Sequence, residues 1–184
     1  MFFPASPRDI DPDAATRLAR PARGKAAIVA VTVDPDDALL DRLTTRLSPD
    51  FIQLHGKETP SRVREVAQRT GAGVIKVVSV AAAYDVSRAA AFESGADHVM
   101  FDTKAPTGSA IPGGLGTSFD WTLLTGLRLE RPWFLAGGLD PWNVAQALKA
   151  SGAPMADVSS GVERGAGLKD PALIHSFLEA VRRV

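Results

Sequence analysis

Residues 133–148 read Trp133-Phe134-Leu135-Ala136-Gly137-Gly138-Leu139-Asp140-Pro141-Trp142-Asn143-Val144-Ala145-Gln146-Ala147-Leu148, and they hold one whole supersecondary unit. The run Trp133–Ala136 is apolar without alternation, the signature of a strand buried on both faces. Two glycines then allow a tight turn. Asp140-Pro141 marks the start of a helix: the carboxylate can accept from the first free backbone N–H groups. Proline suits the first helical position, where its missing N–H costs nothing. Val144, Ala147 and Leu148 then share one helical face, and Gly152 is placed to stop the helix.

The same mark recurs at Asp11-Pro12, Asp34-Pro35, Thr59-Pro60 and Asp170-Pro171. Apolar stripes follow it: Leu39, Leu40, Leu43 and Leu47; Val63, Val66 and Ala67; Leu173, Ile174, Phe177, Leu178 and Val181. An Ala-rich helix without the mark is expected from Tyr84 to Ser94. Between helices lie the apolar runs Ala27–Val33, Phe51–Leu54, Val74–Val80, His98–Phe101 and Ala156–Val158. With Trp133–Ala136 they give strands alternating with helices, the pattern of parallel βαβ units. Phe2-Phe3 fits the end of one further strand. The fold class expected is α/β, as one domain over residues 1–184. The barrel and the open doubly wound sheet compete. Polar residues gathering just after the strands favour a (β/α)8 TIM barrel, whose active sites sit at that end. Such a barrel typically takes about 250 residues and rarely fewer than about 200. The 184 residues here fall short by about one strand and one helix.

Lys plus Arg equals Asp plus Glu, at 21 each. This balance argues against a broad footprint for nucleic acid or an anionic membrane. The absence of cysteine removes disulfides, thiolate nucleophiles and Cys-ligated metal from residues 1–184, and three scattered histidines offer no usual metal spacing. Neither a spanning apolar run nor a signal-peptide pattern is seen, so a cytoplasmic protein is expected.

Several strand ends carry groups suited to chemistry. Asp102 closes the run His98–Phe101; it suits either a catalytic carboxyl at a barrel mouth or a cap for loop N–H groups. The glycine-rich stretch Thr107–Thr117 could fold over a ligand. Gly137-Gly138 and Ser160-Gly161 follow the last two strands, where barrels often build a phosphate site; backbone N–H groups and a hydroxyl suit that task. Two tight turns are the plainer reading of those loops. Gln53 and His55 share a face by the two-residue period. His55 could bond a substrate or be a satisfied rim histidine. Arg8 could clamp a carboxylate or phosphate with its planar fork, or lie on the surface.

In order along the chain stand Phe3-Pro4-Ala5-Ser6-Pro7-Arg8, Gln53-Leu54-His55-Gly56 with Glu58, Phe101-Asp102-Thr103, and Gly113-Gly114-Leu115-Gly116 before Phe119-Asp120-Trp121. Leu135-Ala136-Gly137-Gly138-Leu139 with Asn143-Val144, Asp157-Val158-Ser159-Ser160-Gly161-Val162-Glu163 and Gly167-Leu168-Lys169-Asp170 complete the set. This ordered set resembles the phosphoribosylanthranilate isomerases of tryptophan biosynthesis. The resemblance implies a TIM barrel that performs an Amadori rearrangement of N-(5-phosphoribosyl)anthranilate, without cofactor or metal, as a monomer or homodimer. It implies Asp102 as the general acid on the ring oxygen and Arg8 as the anthranilate carboxylate clamp. Gln53 and His55 become substrate contacts, and Gly137, Gly138, Ser160 and Gly161 the phosphate site.

Family members begin with a strand ending in a Lys-Ile-Cys-Gly type motif, whose cysteine is the general base. By that comparison strand 1, helix 1 and most of strand 2 are lacking here, and Met1 is expected to be a misassigned start, a GTG valine codon. The alternative is a non-catalytic phosphosugar-binding barrel that lost its base.

Overall fold

The computed structural model describes residues 1–106, 108, 116 and 118–184. The glycine-rich stretch read as a ligand cover falls mostly at Thr107, 109–115 and Thr117, outside the described residues. Six strands are hydrogen-bonded in sequence order: β1 (Val29–Thr32), β2 (Phe51–Leu54), β3 (Gly73–Val80), β4 (His98–Thr103), β5 (Phe134–Leu135) and β6 (Met155–Ala156). The registers are parallel, with Val29 opposite Phe51, Phe51 opposite Gly73, Met100 opposite Phe134 and Phe134 opposite Met155. A doubly wound sheet reverses its strand order at a switch point; these six strands show no reversal.

Two compact units make up the chain, one of Met1–Val77 with Ala91–His98, the other of Val78–Ala90 with Val99–Val184.

In the first unit, Phe2 forms an isolated parallel bridge with Thr32, and its N–H donates to the Val31 carbonyl at 2.8 Å. The Phe2-Phe3 run thus lies beside β1. Helix α1 (Pro12–Ala19) is capped by Asp11, whose side chain accepts from the Asp13 and Ala14 N–H groups. Helix α3 (Pro60–Thr70) is capped by Thr59 and stopped by Gly71. Val63 and Val66 of α3 are buried, as are Ile52 and Leu54 of β2. The Asp34-Pro35 mark behaves otherwise. Helix α2 (Asp37–Arg42) is capped by Asp36, while Asp34 takes a positive φ of 44°. The Asp34 carboxylate accepts instead from the Lys57 N–H at 2.7 Å. A wider π-turn (Leu43–Leu47) continues α2 and brings Leu43 and Leu47 into the core with Leu40.

In the second unit, the Ala-rich segment divides: α4 (Ala83–Ser87) ends early, and a 3₁₀ stretch follows it out of the unit. Asp85 closes the α4 entry by accepting from the Ala81 N–H at 2.9 Å and the Ala82 N–H at 3.2 Å. Those bonds hold its carboxyl below the ordinary value of 3.8, with the Lys104 ammonium pulling the same way. Asp120 caps a 3₁₀ turn (Trp121–Leu124). The Asp140 carboxylate accepts from the Trp142 and Asn143 N–H groups, as Asp11 and Asp170 do at their helices, but a turn at 141–143 precedes the regular helix α5 (Val144–Ser151). Gly152 stops it in the left-handed region. Phe101 and Trp133 pack edge to face with centroids 5.3 Å apart, a geometry favoured by the ring quadrupoles. Strands β7 (Glu163–Gly165) and β8 (Leu168–Lys169) form a small antiparallel hairpin. It leads into α6 (Pro171–Arg182), capped by Asp170. The α6 stripe is only partly covered: Phe177 is buried, while Ile174 and Leu178 stay 37% and 47% exposed.

Candidate active site

The second unit assembles one group of site residues at the C-terminal ends of its strands. Asp102 is the fifth residue of β4 and only 6% exposed. The strand period sets it opposite in direction to Phe101, which fills the core. Its Oδ1 accepts from the Thr103 N–H at 2.7 Å.

Gly137 follows β5 and has a φ of +88°, a conformation that a side chain would strain. Space forbids a side chain as well. A Cβ there would strike the Thr103 hydroxyl and lie 2.6 Å from the Thr103 nitrogen and 2.9 Å from Asp102 Oδ1. The backbone of the Gly137-Gly138 loop therefore lies directly against the acid at the end of β4. The Thr103 hydroxyl is buried and has no hydrogen-bond partner among the described residues.

The second loop is equally close to the first. A Cβ on Gly161 would collide with the Leu139 carbonyl oxygen and come within 3.1 Å of Asp140 Cα. The loops after β5 and β6 are thus neighbours in contact, as their place at the last two strands suggested. Each is pinned by side chains. Asn143 Nδ2 donates to the Gly138 carbonyl at 2.8 Å, and its Oδ1 accepts from the Asp140 N–H at 2.9 Å. Lys169 Nζ donates to the Ser159 carbonyl at 2.7 Å and pairs with Glu163 at 2.9 Å. Ser160–Val162 form a single 3₁₀ turn between loop and hairpin. Asp102, Gly137, Gly138, Ser160 and Gly161 are in this way one continuous patch. Exposed N–H groups in such a patch can bind an anion, and a buried carboxyl beside it can transfer a proton.

The first unit holds the other expected residues. Gln53 lies in β2 and is 6% exposed. His55 follows the strand, half-buried, with its N–H donating to the Thr32 carbonyl at 2.9 Å. Glu58 and Lys76 form an ion pair at 2.7 Å with side chains 2% and 3% exposed. Lys76 was invisible as a site residue in the sequence, because it sits inside the apolar run Val74–Val80. Arg8 is half-buried, and its N–H donates to the hydroxyl of Ser6 at 3.1 Å. Among the described residues no group of three His, Asp or Glu side chains is disposed to hold a metal ion. None of the helices in the described residues is long and apolar enough to cross a membrane.

Residues 1–180 match the family model of N-(5'phosphoribosyl)anthranilate (PRA) isomerase. An N-(5'-phosphoribosyl)anthranilate isomerase of Caulobacter sp. (strain K31) is 63% identical over 185 residues, covering 100% of this chain and 87% of that protein. Among solved structures, phosphoribosyl anthranilate isomerase from Thermotoga maritima is similar with a TM-score of 0.86 and 32% identity. The match covers 100% of this chain and 86% of that one. A phosphoribosyl anthranilate isomerase in complex with reduced 1-(o-carboxyphenylamino)-1-deoxyribulose 5-phosphate is similar with a TM-score of 0.81 and 29% identity, over 100% and 85% of the two chains.

Proposed function

Because the chain belongs to the N-(5'-phosphoribosyl)anthranilate isomerase family, and is an isomerase of tryptophan biosynthesis, we propose that Asp102 is its general acid and that the two strand-end loops hold the substrate phosphate. The observation that carries this reading is the contact of Gly137 with Asp102 and of Gly161 with Leu139. It sets an acid and two sets of backbone donors side by side.

The chemistry follows from those positions. Opening the ribose requires the C1′–O4′ bond to break as the anilino nitrogen pushes in its electron pair. The leaving ring oxygen must gain a proton. Asp102 delivers it, and the ring opens to an iminium. A base then takes the C2′ proton, the role that the family resemblance gives to a cysteine not found in residues 1–184, and leaves a neutral enaminol; its C2′ hydroxyl gives up a proton as C1′ gains one, which yields the 1-deoxyribulose ketone. A positioned general acid contributes about 10²–10⁴-fold to such a step. The N–H groups of Gly138, Ser160 and Gly161 and the Ser160 hydroxyl bind the phosphate dianion and so fix the sugar relative to the acid. Arg8 takes the anthranilate carboxylate in a bidentate grip. Gln53 and His55 contact the remainder of the substrate. The six parallel strands are read as the greater part of a (β/α)8 barrel in one domain, supported by the coverage of the Thermotoga maritima chain. A cytoplasmic location suits this biosynthetic step.

The reduced product analogue, reduced 1-(o-carboxyphenylamino)-1-deoxyribulose 5-phosphate, tests the reading without depending on turnover. Calorimetric titration should show one site per chain, with inorganic phosphate competing. Absence of binding, or binding that phosphate does not weaken, sinks the assignment.

A further inference from the structure

Lys76 interrupts an otherwise apolar strand, and its ammonium is enclosed. Nζ donates to Glu58 Oε2 at 2.7 Å, to the Gly56 carbonyl at 2.9 Å and to the Leu54 carbonyl at 3.2 Å. An ammonium has three protons to give, and all three have acceptors. The Phe92 ring lies below it, 5.7 Å from Nζ to the centroid. Leu54 and Gly56 are the residues on either side of His55. The carbonyls that bracket His55 are therefore tied to one buried cation.

Glu58 completes the frame. Both its oxygens accept from the Gly56 N–H at 3.0 Å, and Oε1 also accepts from the Asp34 N–H at 2.9 Å. Gly56 is held through its N–H by Glu58 and through its carbonyl by Lys76. The His55 N–H is held by the Thr32 carbonyl. The Leu54 carbonyl, the His55 N–H and both backbone polar groups of Gly56 are thus fixed, at His55 itself and at its two chain neighbours. A buried ion pair is a poor source of stability, since apolar replacements of similar volume often do as well or better. What this pair supplies is a fixed loop.

We infer that Lys76, together with Glu58, is a positioning residue that sets the His55 imidazole against the phosphosugar. This rests on the reading of His55 as a substrate contact. The test is a double-mutant cycle on the affinity for the reduced product analogue, with His55→Ala as the second arm. Lys76→Met alone strands the Glu58 charge, so the neutral pair Lys76→Met with Glu58→Gln is used. His55→Ala should weaken binding by about tenfold. The neutral pair should weaken it by about fivefold when His55 is present, and by less than about twofold when it is absent. Equal losses in both backgrounds overturn the inference and leave His55 a substrate contact. Wild-type affinity in His55→Ala overturns both. If that pair does not fold, Lys76→Gln with Glu58→Gln enters the same cycle; it is also neutral, offers an amide donor at position 76 and keeps an acceptor for Gly56, and is judged by the same coupling.

Discussion

Replacing Gly161 by alanine tests whether the two loops proposed to hold phosphate are as close as the structure places them. The new Cβ would collide with the Leu139 carbonyl oxygen and lie 2.9 Å from its carbon and 3.1 Å from Asp140 Cα. All three are backbone atoms, so no change of rotamer relieves the contact. Carbon atoms rest at about 3.5–4.0 Å; the loops must part by roughly half an ångström or more. Forcing a methyl into packed space costs about 1–3 kcal/mol. In a chain of 184 residues, at about 2–4 °C per kcal/mol, the melting temperature should fall by roughly 2–12 °C. Under the proposed phosphate assignment, parting the loops also removes the Gly161 N–H from the phosphate. A hydrogen bond to a charged group is worth about 1.5–3 kcal/mol, so affinity for the reduced product analogue should fall by roughly 10- to 150-fold. Thermal melting and calorimetry on the same sample read both numbers. A melting point within about 1 °C of wild type, with Kd changed by less than about twofold, would refute both the contact and the phosphate assignment.

Three other outcomes follow. Arg8→Met should weaken binding of the reduced product analogue, which carries the anthranilate carboxylate, by about tenfold or more, yet leave binding of inorganic phosphate unchanged; equal loss for both ligands would remove Arg8 from the carboxylate. Asp85→Ala exposes the Ala81 and Ala82 N–H groups and should cost about 1–2 kcal/mol near pH 7 by urea melting. Because the folded carboxyl lies below the ordinary 3.8, the stability it adds is present above that value and is lost as pH falls through the lower folded value. The gap between wild type and Asp85→Ala should therefore narrow in that acid range, and a gap independent of pH would contradict the assignment. Asn143→Ala frees the Gly138 carbonyl from its 2.8 Å bond and should weaken phosphate binding by several-fold, which a phosphate titration would read; unchanged affinity would mean that the loop holds its shape without Asn143.

The repeated strand, loop and helix pattern was legible in the sequence because buried parallel strands are continuous apolar runs. The run Phe51–Leu54 coincides with β2, and Val74–Val80 differs from β3 only by Gly73. Asp11, Thr59 and Asp170 cap helices as their proline neighbours implied. The same local signal misled at Asp34, whose carboxylate accepts from the Lys57 N–H on a distant loop. At Asp140 the expected bonds to the Trp142 and Asn143 N–H groups form, and only the regular helix starts late, at Val144. A dipeptide cannot reveal which donors the tertiary fold will bring. Asp102 was legible as a strand-ending carboxyl, and the neighbourhood of the Gly137 and Ser160 loops followed from strand order; the closeness of Asp102 to Gly137 is seen only in the structure. Lys76 was not legible, since its partner Glu58 lies in the loop between β2 and α3 and a single lysine in an apolar run has no local mark. The incomplete cover of α6 was equally hidden, because a helical stripe shows which face is apolar and not what meets it.

The central claim is that Asp102 gives the ring oxygen its proton. Asp102→Asn preserves shape and acceptor capacity but has no carboxyl proton to transfer. With the family's cysteine-bearing first strand and helix joined ahead of residues 1–184 to supply the base, pre-steady-state turnover of N-(5-phosphoribosyl)anthranilate by that wild-type form and by its Asp102→Asn variant, beside their affinities for the reduced product analogue, separates proton transfer from binding. A loss of about 10²–10⁴-fold in the chemical step, with affinity held within a few-fold, is the expected result. Turnover near the wild-type rate in Asp102→Asn would contradict the account.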